Sequence, residues 1–392
     1  MNSKLAILFL TIFIDLLGFG LIIPALPFYA ESFGASFVTI GIFSATYSAM
    51  HFLFAPLWGR LSDRVGRRPV MLTGLAGSAA AFLMFGLATT LPMLFAARIL
   101  AGILSSATLP TAQAYIADTT SPEDRAKGMG LIGAAFGMGF IFGPAVGGVL
   151  TQFGYGFPAL VAAGLSTINF VWAFWKLPET HSDRGGTSHR GLLSTGALRE
   201  VLSIPYMAVL IFIFFMQVFA FSQMEGTFAL FGEHRLGLDA VHVGWILAEV
   251  GVISAIIQGA LMGKLVRRFG EVTLARTGLV LMAIGLIATG QVRTVLQLVL
   301  VTPLLAMGSA VMNPTINSLI SKTAPPDKQG LTMGTAQSIG ALGRVFGPPS
   351  GTALFQFVGL SAPYWCGGLL IGAISLLKIG TKPDAVGDIS KD

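Results

Sequence analysis

Twelve long apolar runs, separated by short polar turns, leave this chain few ways to fold. They fall at approximately 5–29, 37–59, 69–88, 91–117, 128–152, 157–177, 205–232, 240–265, 271–291, 294–320, 329–356 and 361–380. A helix of about 20 apolar residues crosses roughly 30 Å of hydrocarbon. Lipid offers no water to backbone N–H and C=O groups, so only helices or closed barrels can span it. The alternating pattern of a barrel strand is absent. With 54% hydrophobic and 11% charged residues and a mean hydropathy of +0.78, the 392-residue chain is too apolar for a soluble domain. The expected fold is therefore an all-α polytopic membrane protein with twelve transmembrane helices. The first run carries Asp15, has no small-residue cleavage site after it and is longer than a signal-peptide core, so it reads as a retained span.

The net charge of +6 reports orientation. If the N-terminus is cytoplasmic, 20 Lys and Arg fall in cytoplasmic loops and ends, two (Arg235 and Arg293) in outer loops, and two (Arg98 and Arg344) within spans. That bias predicts cytoplasmic N- and C-termini and gives no reason to expect a nucleic-acid partner. Cys366 is the only cysteine, which excludes an intramolecular disulfide and a thiolate metal site. No metal or organic cofactor is expected, nor an enzyme. Gly128-Met-Gly-Leu-Ile-Gly133 follows a turn rather than a strand and does not read as a dinucleotide site.

The two halves match at a constant offset of 204 residues. Gly59 aligns with Gly263, Gly66 with Gly270, Pro110-Thr111 with Pro314-Thr315, Pro122 with Pro326, Gly143-Pro144 with Gly347-Pro348 and Gly147 with Gly351. Gly and Pro fix backbone geometry, so a shared fold keeps them in register. An offset of six spans makes the halves parallel repeats. The expected organisation is an N-terminal six-helix bundle (1–177), a cytoplasmic linker (178–204), a C-terminal six-helix bundle (205–381) and a polar tail (382–392).

Between the second and third runs lies a short charged hinge, Gly59-Arg-Leu-Ser-Asp-Arg-Val-Gly-Arg-Arg-Pro69. Asp63, Arg64, Gly66, Arg67 and Arg68 concentrate charge there, as a cytoplasmic turn does. The second-half copy has Arg267 in place of Asp63.

Charge inside a span is costly and demands a partner, a watery cavity or a function. Five residues qualify: Asp15, Arg98, Glu225, Glu249 and Arg344. Three acids and two bases suit one central cavity. Arg98 shares a helix face with Gly102 and Ser105. Gln217, Phe221 and Glu225 form a stripe. Ser309, Asn313, Asn317 and Ser321 repeat every four residues, and Gln337 shares a face with Arg344. Gln113 joins the candidate cavity set. His51, mid-span, reads first as a packing residue and second as a proton carrier. Thirty Phe and 15 Met offer an adaptable apolar lining.

The hinge, Arg98-x-x-x-Gly102 and Gly143-Pro144-x-x-Gly147-Gly148 together resemble the motifs of the major facilitator superfamily. The chain is most similar there to twelve-span drug:proton antiporters, nearest to tetracycline efflux proteins. Ala117-Asp118-Thr-Thr-Ser121 and Leu230-Phe-Gly-Glu-His-Arg-Leu-Gly237 add to the likeness. The resemblance implies the two-bundle fold of that superfamily and alternating access across a cell inner membrane. It also implies a proton gradient as energy source, an amphipathic small-molecule substrate and a monomer in the lipid bilayer. Asp63 would latch the cytoplasmic side with Arg67 and Asp118, near the N-terminal end of span 11. Arg98 would couple protonation to substrate movement, Asp15 matches an acid of the family, and Gly143 to Gly148 mark antiport. Three departures argue against tetracycline itself: span 9 lacks an Asp, His51 stands where Gln is usual, and Glu225 and Glu249 are acids where the family is neutral. The competing reading on the same fold is a proton-coupled symporter, or a uniporter, of a nutrient or metabolite.

Overall fold

Each apolar run folds as helix, and no strand occurs among the described residues of the computed structural model, 3–121, 125–180, 195–325 and 328–379. The first run is split: α1 (Ser3–Ile22) stops before Pro24, and α2 (Ala25–Ser32) resumes beyond it. Ser36 starts α3 (Phe37–Val65) by accepting from the Thr39 N–H at 3.3 Å. Then come α4 (Arg67–Gly86), α5 (Leu91–Ser105) and α6 (Thr108–Thr119), the last two forming one bent span, followed by α7 (Arg125–Leu150) and α8 (Phe157–Lys176). The second half contains α10 (Met207–Leu236), α11 (Ala240–Ile256), a π turn at Ile257–Leu261, α12 (Met262–Phe269), α13 (Glu271–Gln291), α14 (Val295–Thr323), α15 (Gln329–Phe357) and α16 (Ala362–Ser375). Ten of these stretches are long and apolar enough to cross a membrane. The other two candidates are α15, long but diluted by Gln337, Arg344 and two Pro, and α16, which is only 14 residues long.

The 204-residue offset holds in three dimensions. Moved back by that amount, α14 covers α5 plus α6, α10 covers α1 plus α2, and α15 starts where α7 starts. The hinge glycines agree in conformation: Gly66 has φ 106° and ψ 160°, Gly270 φ 73° and ψ 158°. Only glycine adopts that region without strain. Pro122 and Pro326 lie outside the described residues.

Two features differ from expectation. The hinge is not a loop. α3 continues through Gly59 to Val65, and Gly66 alone breaks the helix before Arg67 restarts it. Charge ends an apolar run, but Arg, Ser and Asp are compatible with helix once it leaves hydrocarbon. The linker, in turn, is not wholly irregular: α9 (Thr195–Leu202) buries Val201 and packs on α10 and α15. Residues 181–194 and the tail 382–392 lie outside the described residues.

Within the first half α1 packs on α7, α4 on α8, and α3 and α4 on α5. In the second, α10 packs on α15 and α13 on α14 and α16. Gly66→Ala is expected to lower the thermal unfolding midpoint of the purified protein, through roughly 1–3 kcal/mol of backbone strain. A Cβ there would also collide with the Glu179 carboxylate. Gly59→Ala, inside a helix with open space around it, should leave the midpoint no lower and raise it slightly, because Ala favours helix over Gly by about 0.5–1 kcal/mol, as melting curves in one detergent would show.

Candidate functional site

The halves meet along two seams, α3 on α15 and α7 on α11. At the end away from the hinges the seams are tight. A Cβ on Gly41 would lie 2.8 Å from the Pro348 carbonyl oxygen, and one on Gly148 2.8 Å from that of Ala240. The Val38 N–H donates to Gln356 Oε1 at 3.1 Å. Toward the hinge end, Gly130, Gly133, Gly137, Gly259 and Gly330 face open space. Along the α7–α11 seam lies a cavity of about 880 Å³, walled by α7, α10, α11 and α14, that reaches from Ile23 and Pro27 to Gly130 and Gly259. Phe136, Phe140, Phe221, Phe228, Met138 and Met224 supply its apolar wall, and Gln217, Glu225, Gln258, Ser309 and Asn313 its polar groups. Few polar groups in an apolar concavity is the usual composition of a small-molecule site.

Beside this cavity the intramembrane charges gather. Arg98 is buried, at 4% exposure. Its guanidinium stands over the Tyr47 ring at 4.9 Å and the Phe43 ring at 5.6 Å, in cation–π geometry. The same face of α5 meets α3 throughout. A Cβ on Gly102 would sit 2.6 Å from Met50 Cβ, and Ser105 Oγ is 3.2 Å from the Tyr47 hydroxyl. Glu225 is exposed to the cavity and within electrostatic reach of Arg344 and Arg98. Tyr47 senses Asp15, Arg98 and Arg344, and Asp15 stands beside Ser78. The His51 ring is 5.8 Å from that of Tyr47 and within reach of Arg344. Groups from α1, α3, α5, α10 and α15 thus share one region, with both halves represented.

Not every candidate joins them. Of the predicted residues, Gln217, Glu225, Asn313 and Pro144 line the cavity. Glu249 does not; its Oε2 accepts from Thr302 Oγ1 at 3.1 Å, and Thr302 presents itself to the cavity instead. Asn317 and Gln337 are not part of the cavity wall and bond to each other instead. Gln337 Nε2 donates to Asn317 Oδ1 at 2.9 Å, and Asn317 Nδ2 donates to the Asn313 carbonyl at 2.8 Å. Gln113 is exposed and lies outside the cavity wall. The expectation that all five charges line one cavity is corrected accordingly. Aromatic rings of α3 draw Arg98 into the first bundle, and a hydroxyl holds Glu249 behind the wall.

Gly143, Pro144, Gly147 and Gly148 lie where three helices cross. A Cβ on Gly143 would meet the Gly20 carbonyl carbon at 2.8 Å, and one on Gly148 would sit 3.2 Å from Gly244 Cα of α11. At the hinge, Arg67 pairs with Asp63 and, through Nε at 3.0 Å, with Asp118. The Asp63 ion pair is internal to its own bundle; among the described residues no hydrogen bond or ion pair joins it to α15. Arg64 is exposed, while Arg68 donates from Nη2 to the Phe174 carbonyl at 2.5 Å.

Three features have weaker sequence signals. Tyr47 lies at the centre of the charge cluster, yet an aromatic in an apolar run looks like lining. Glu179 caps α4, accepting from the Arg67 and Arg68 N–H groups at 2.9 and 3.2 Å; nothing local in the sequence marks it. The third signal is plain once signs are compared. The offset of 204 puts Arg267 on Asp63, Glu271 on Arg67 and Lys322 on Asp118. Lys322 Nζ bonds Glu271 Oε1 at 2.9 Å, so the second half repeats the Arg67–Asp118 tie with both signs reversed.

Two repeat-related helical bundles enclosing an apolar cavity with buried charge at their seam define a polytopic membrane transporter. Comparison with known proteins narrows this. The family model described as Major Facilitator Superfamily matches residues 8–348 and 237–390, and the chain belongs to that superfamily; it is a transporter, not an enzyme. It is 32% identical over 373 residues to the class C tetracycline resistance protein of Escherichia coli, covering 93% of this chain and 92% of that one. It is 29% identical over 384 residues to multidrug resistance protein 1 of Bacillus subtilis, covering 98% and 97%. Among solved structures it resembles the human organic anion transporter MFSD10 (TETRAN), with TM-score 0.73, 26% identity and coverage of 95% and 98%.

Glu225→Gln leaves Arg98 and Arg344 without their shared acid. That variant is expected to unfold at lower temperature than wild type, and Glu225→Gln/Arg344→Gln to recover part of the loss. A double-mutant cycle on thermal midpoints should give a coupling of about 0.5–3 kcal/mol; zero coupling would show that the pair does not interact.

Proposed function

We propose that this protein is a proton-coupled antiporter that exports amphipathic small molecules, tetracycline-like or multidrug, by alternating access. The observation that carries the reading is Glu225, a carboxyl exposed in an apolar cavity and within electrostatic reach of one arginine from each bundle, Arg98 and Arg344. Low dielectric favours the neutral acid, and nearby guanidinium favours the anion. A carboxyl whose surroundings change as the bundles rock can therefore take up a proton on one side and release it on the other. The aromatic and thioether wall fits flat apolar bodies of varied shape, and the acid favours substrates with a cationic group. Resistance proteins for tetracycline and for multiple drugs among the relatives support the same substrate class.

In this reading the chain sits in the cell inner membrane as a monomer, with the hinges and both termini on the cytoplasmic side. The open hinge end and sealed far end are then the inward-facing state. Asp63, Arg67 and Asp118 act as the cytoplasmic gate, and Asp15, His51 and Arg98 relay protonation to the cavity. The glycines from Gly143 to Gly148 form the pivot against α11. Glu249 tunes the wall through Thr302 rather than carrying the proton.

Everted membrane vesicles with an acidic interior test this directly. Adding an amphipathic cation should release lumenal protons, read by a pH-sensitive dye. Glu225→Gln and Asp15→Asn should reduce that release by about tenfold or more, and Glu249→Gln by less. Full coupling in all three variants would remove the carboxylates from the mechanism. Substrate accumulation together with inward proton flow would select symport.

A further inference from the structure

The far end, where the halves close on each other, carries a cluster with no part in the cavity. Glu31 of α2 faces Glu233 and His234 of α10, so the first half supplies one ligand type and the second half two. His234 Nε2 is 3.3 Å from Glu31 Oε1, its Nδ1 is 4.0 Å from Glu233 Oε2, and the candidate ligand atoms all lie within 4.8 Å of one another.

The hydrogen bonding of this group is lopsided. His234 Nδ1 lies 3.1 Å from the Leu230 carbonyl oxygen. A carbonyl only accepts, so the proton of a neutral imidazole belongs on Nδ1, and the Nε2 lone pair then points at Glu31. A backbone carbonyl in that position is the usual second-shell partner that fixes the tautomer of a metal-binding histidine. Glu31 Oε2 and Glu233 Oε2 are both buried atoms without a hydrogen-bond partner. The neighbouring cation does not help, because Arg235 Nε donates to the Val292 carbonyl at 3.3 Å. Three acceptors therefore converge on one point, and either shared protons or a metal cation must hold them together.

The spacing selects the kind of cation. Bonds of ~2.0–2.1 Å to nitrogen and oxygen at tetrahedral angles put ligand atoms roughly 3.3–3.4 Å apart. The Nε2–Oε1 pair already has that separation, and modest side-chain rotation brings the Glu233 carboxylate to the third corner. One imidazole and two carboxylates suit a borderline transition-metal ion rather than Mg²⁺, which keeps to octahedral oxygen and water shells. We propose that Glu31, Glu233 and His234 form a binding site for a divalent transition-metal cation, with Zn²⁺ the best-fitting probe, and that the bound ion holds the far end shut. His234 packs edge-on against Phe37 at 5.0 Å, and Phe37 in turn against Phe355 at 5.1 Å, so the ligands sit within the closure itself. Moving the halves apart removes α2 from α10 and dismantles the site. By linkage, an ion that binds only the closed arrangement shifts the population toward it. Binding asks nothing of the cavity's cargo or its proton coupling.

The purified full-length protein in nanodiscs, titrated calorimetrically with Zn²⁺ and with Mg²⁺ at neutral pH, tests the site. One saturable Zn²⁺ site is expected, with no matching Mg²⁺ signal. His234→Ala and Glu31→Gln should each weaken Zn²⁺ binding about tenfold or more, and Glu233→Gln provides a milder third variant should either of those fail to fold. Spin labels on opposite sides of the far end should move to the short-distance population when Zn²⁺ is added. Unchanged affinity in the folded variants overturns the site. Far-end closure driven by acid alone, with no further effect of Zn²⁺, assigns the cluster to protons and also overturns it.

Discussion

A charge in hydrocarbon must find a partner, and this structure spends its intramembrane charges where the halves meet. Arg98 and Asp15 belong to the first bundle, Glu225 and Arg344 to the second. Each bundle carries one acid and one base, and Glu225 lies within electrostatic reach of Arg344 in its own bundle and of Arg98 across the seam, so part of the electrostatics depends on how the bundles face each other. Arg98 meets this partly by stacking on Tyr47 and Phe43, which fixes the guanidinium without neutralising it. A cation fixed on one bundle and a carboxyl exposed on the other make the energy of the seam sensitive to protonation.

Close backbone approach supplies the opposite quality, a seam that stays put. At the far end Gly41 lies against Pro348 and Pro349, and Gly148 against Ala240 and Gly244. Backbone meets backbone there, with the short Thr352 side chain the nearest to Gly41, so the helices can roll on one another with little repacking of rotamers. Small residues at both seams and open glycines at the hinge end together describe a pivot and a mouth. The cavity lies between them because the crossing helices diverge from the far end toward the hinges.

Much of this was legible in the sequence, for identifiable reasons. Spans follow from length and hydropathy, and the repeat from Gly and Pro positions that constrain the backbone. The Arg98, Gly102 and Ser105 face emerges from helical periodicity alone, and it is the face that docks on α3. Features that depend on tertiary partners were hidden. Glu249 in the sequence is an acid in a span, and only Thr302 from α14 reveals that it is tied behind the wall. Hydropathy cannot separate the end of an apolar run from the end of a helix, which is why α3 extends past Trp58 to Val65. Glu179 and Gly66 find each other across 113 residues, beyond the reach of any local pattern.

The sign-reversed hinges show what the repeat preserves. Comparing the halves for identity alone discards Arg67 against Glu271 and Asp118 against Lys322, because each pair differs. Compared as ion pairs they are equivalent: the start of the third span of each half is tied to the end of its fourth, once as Arg67–Asp118 at 3.0 Å and once as Glu271–Lys322 at 2.9 Å. Asp63 joins the first tie, whereas Arg267 donates through Nε to the Gly263 carbonyl in the second. What the two halves share is therefore the tie, while its polarity is free. The requirement makes physical sense at this end of the molecule. Here the bundles stand apart around the cavity mouth and cannot brace each other, so each must hold its own helices together to move as one body.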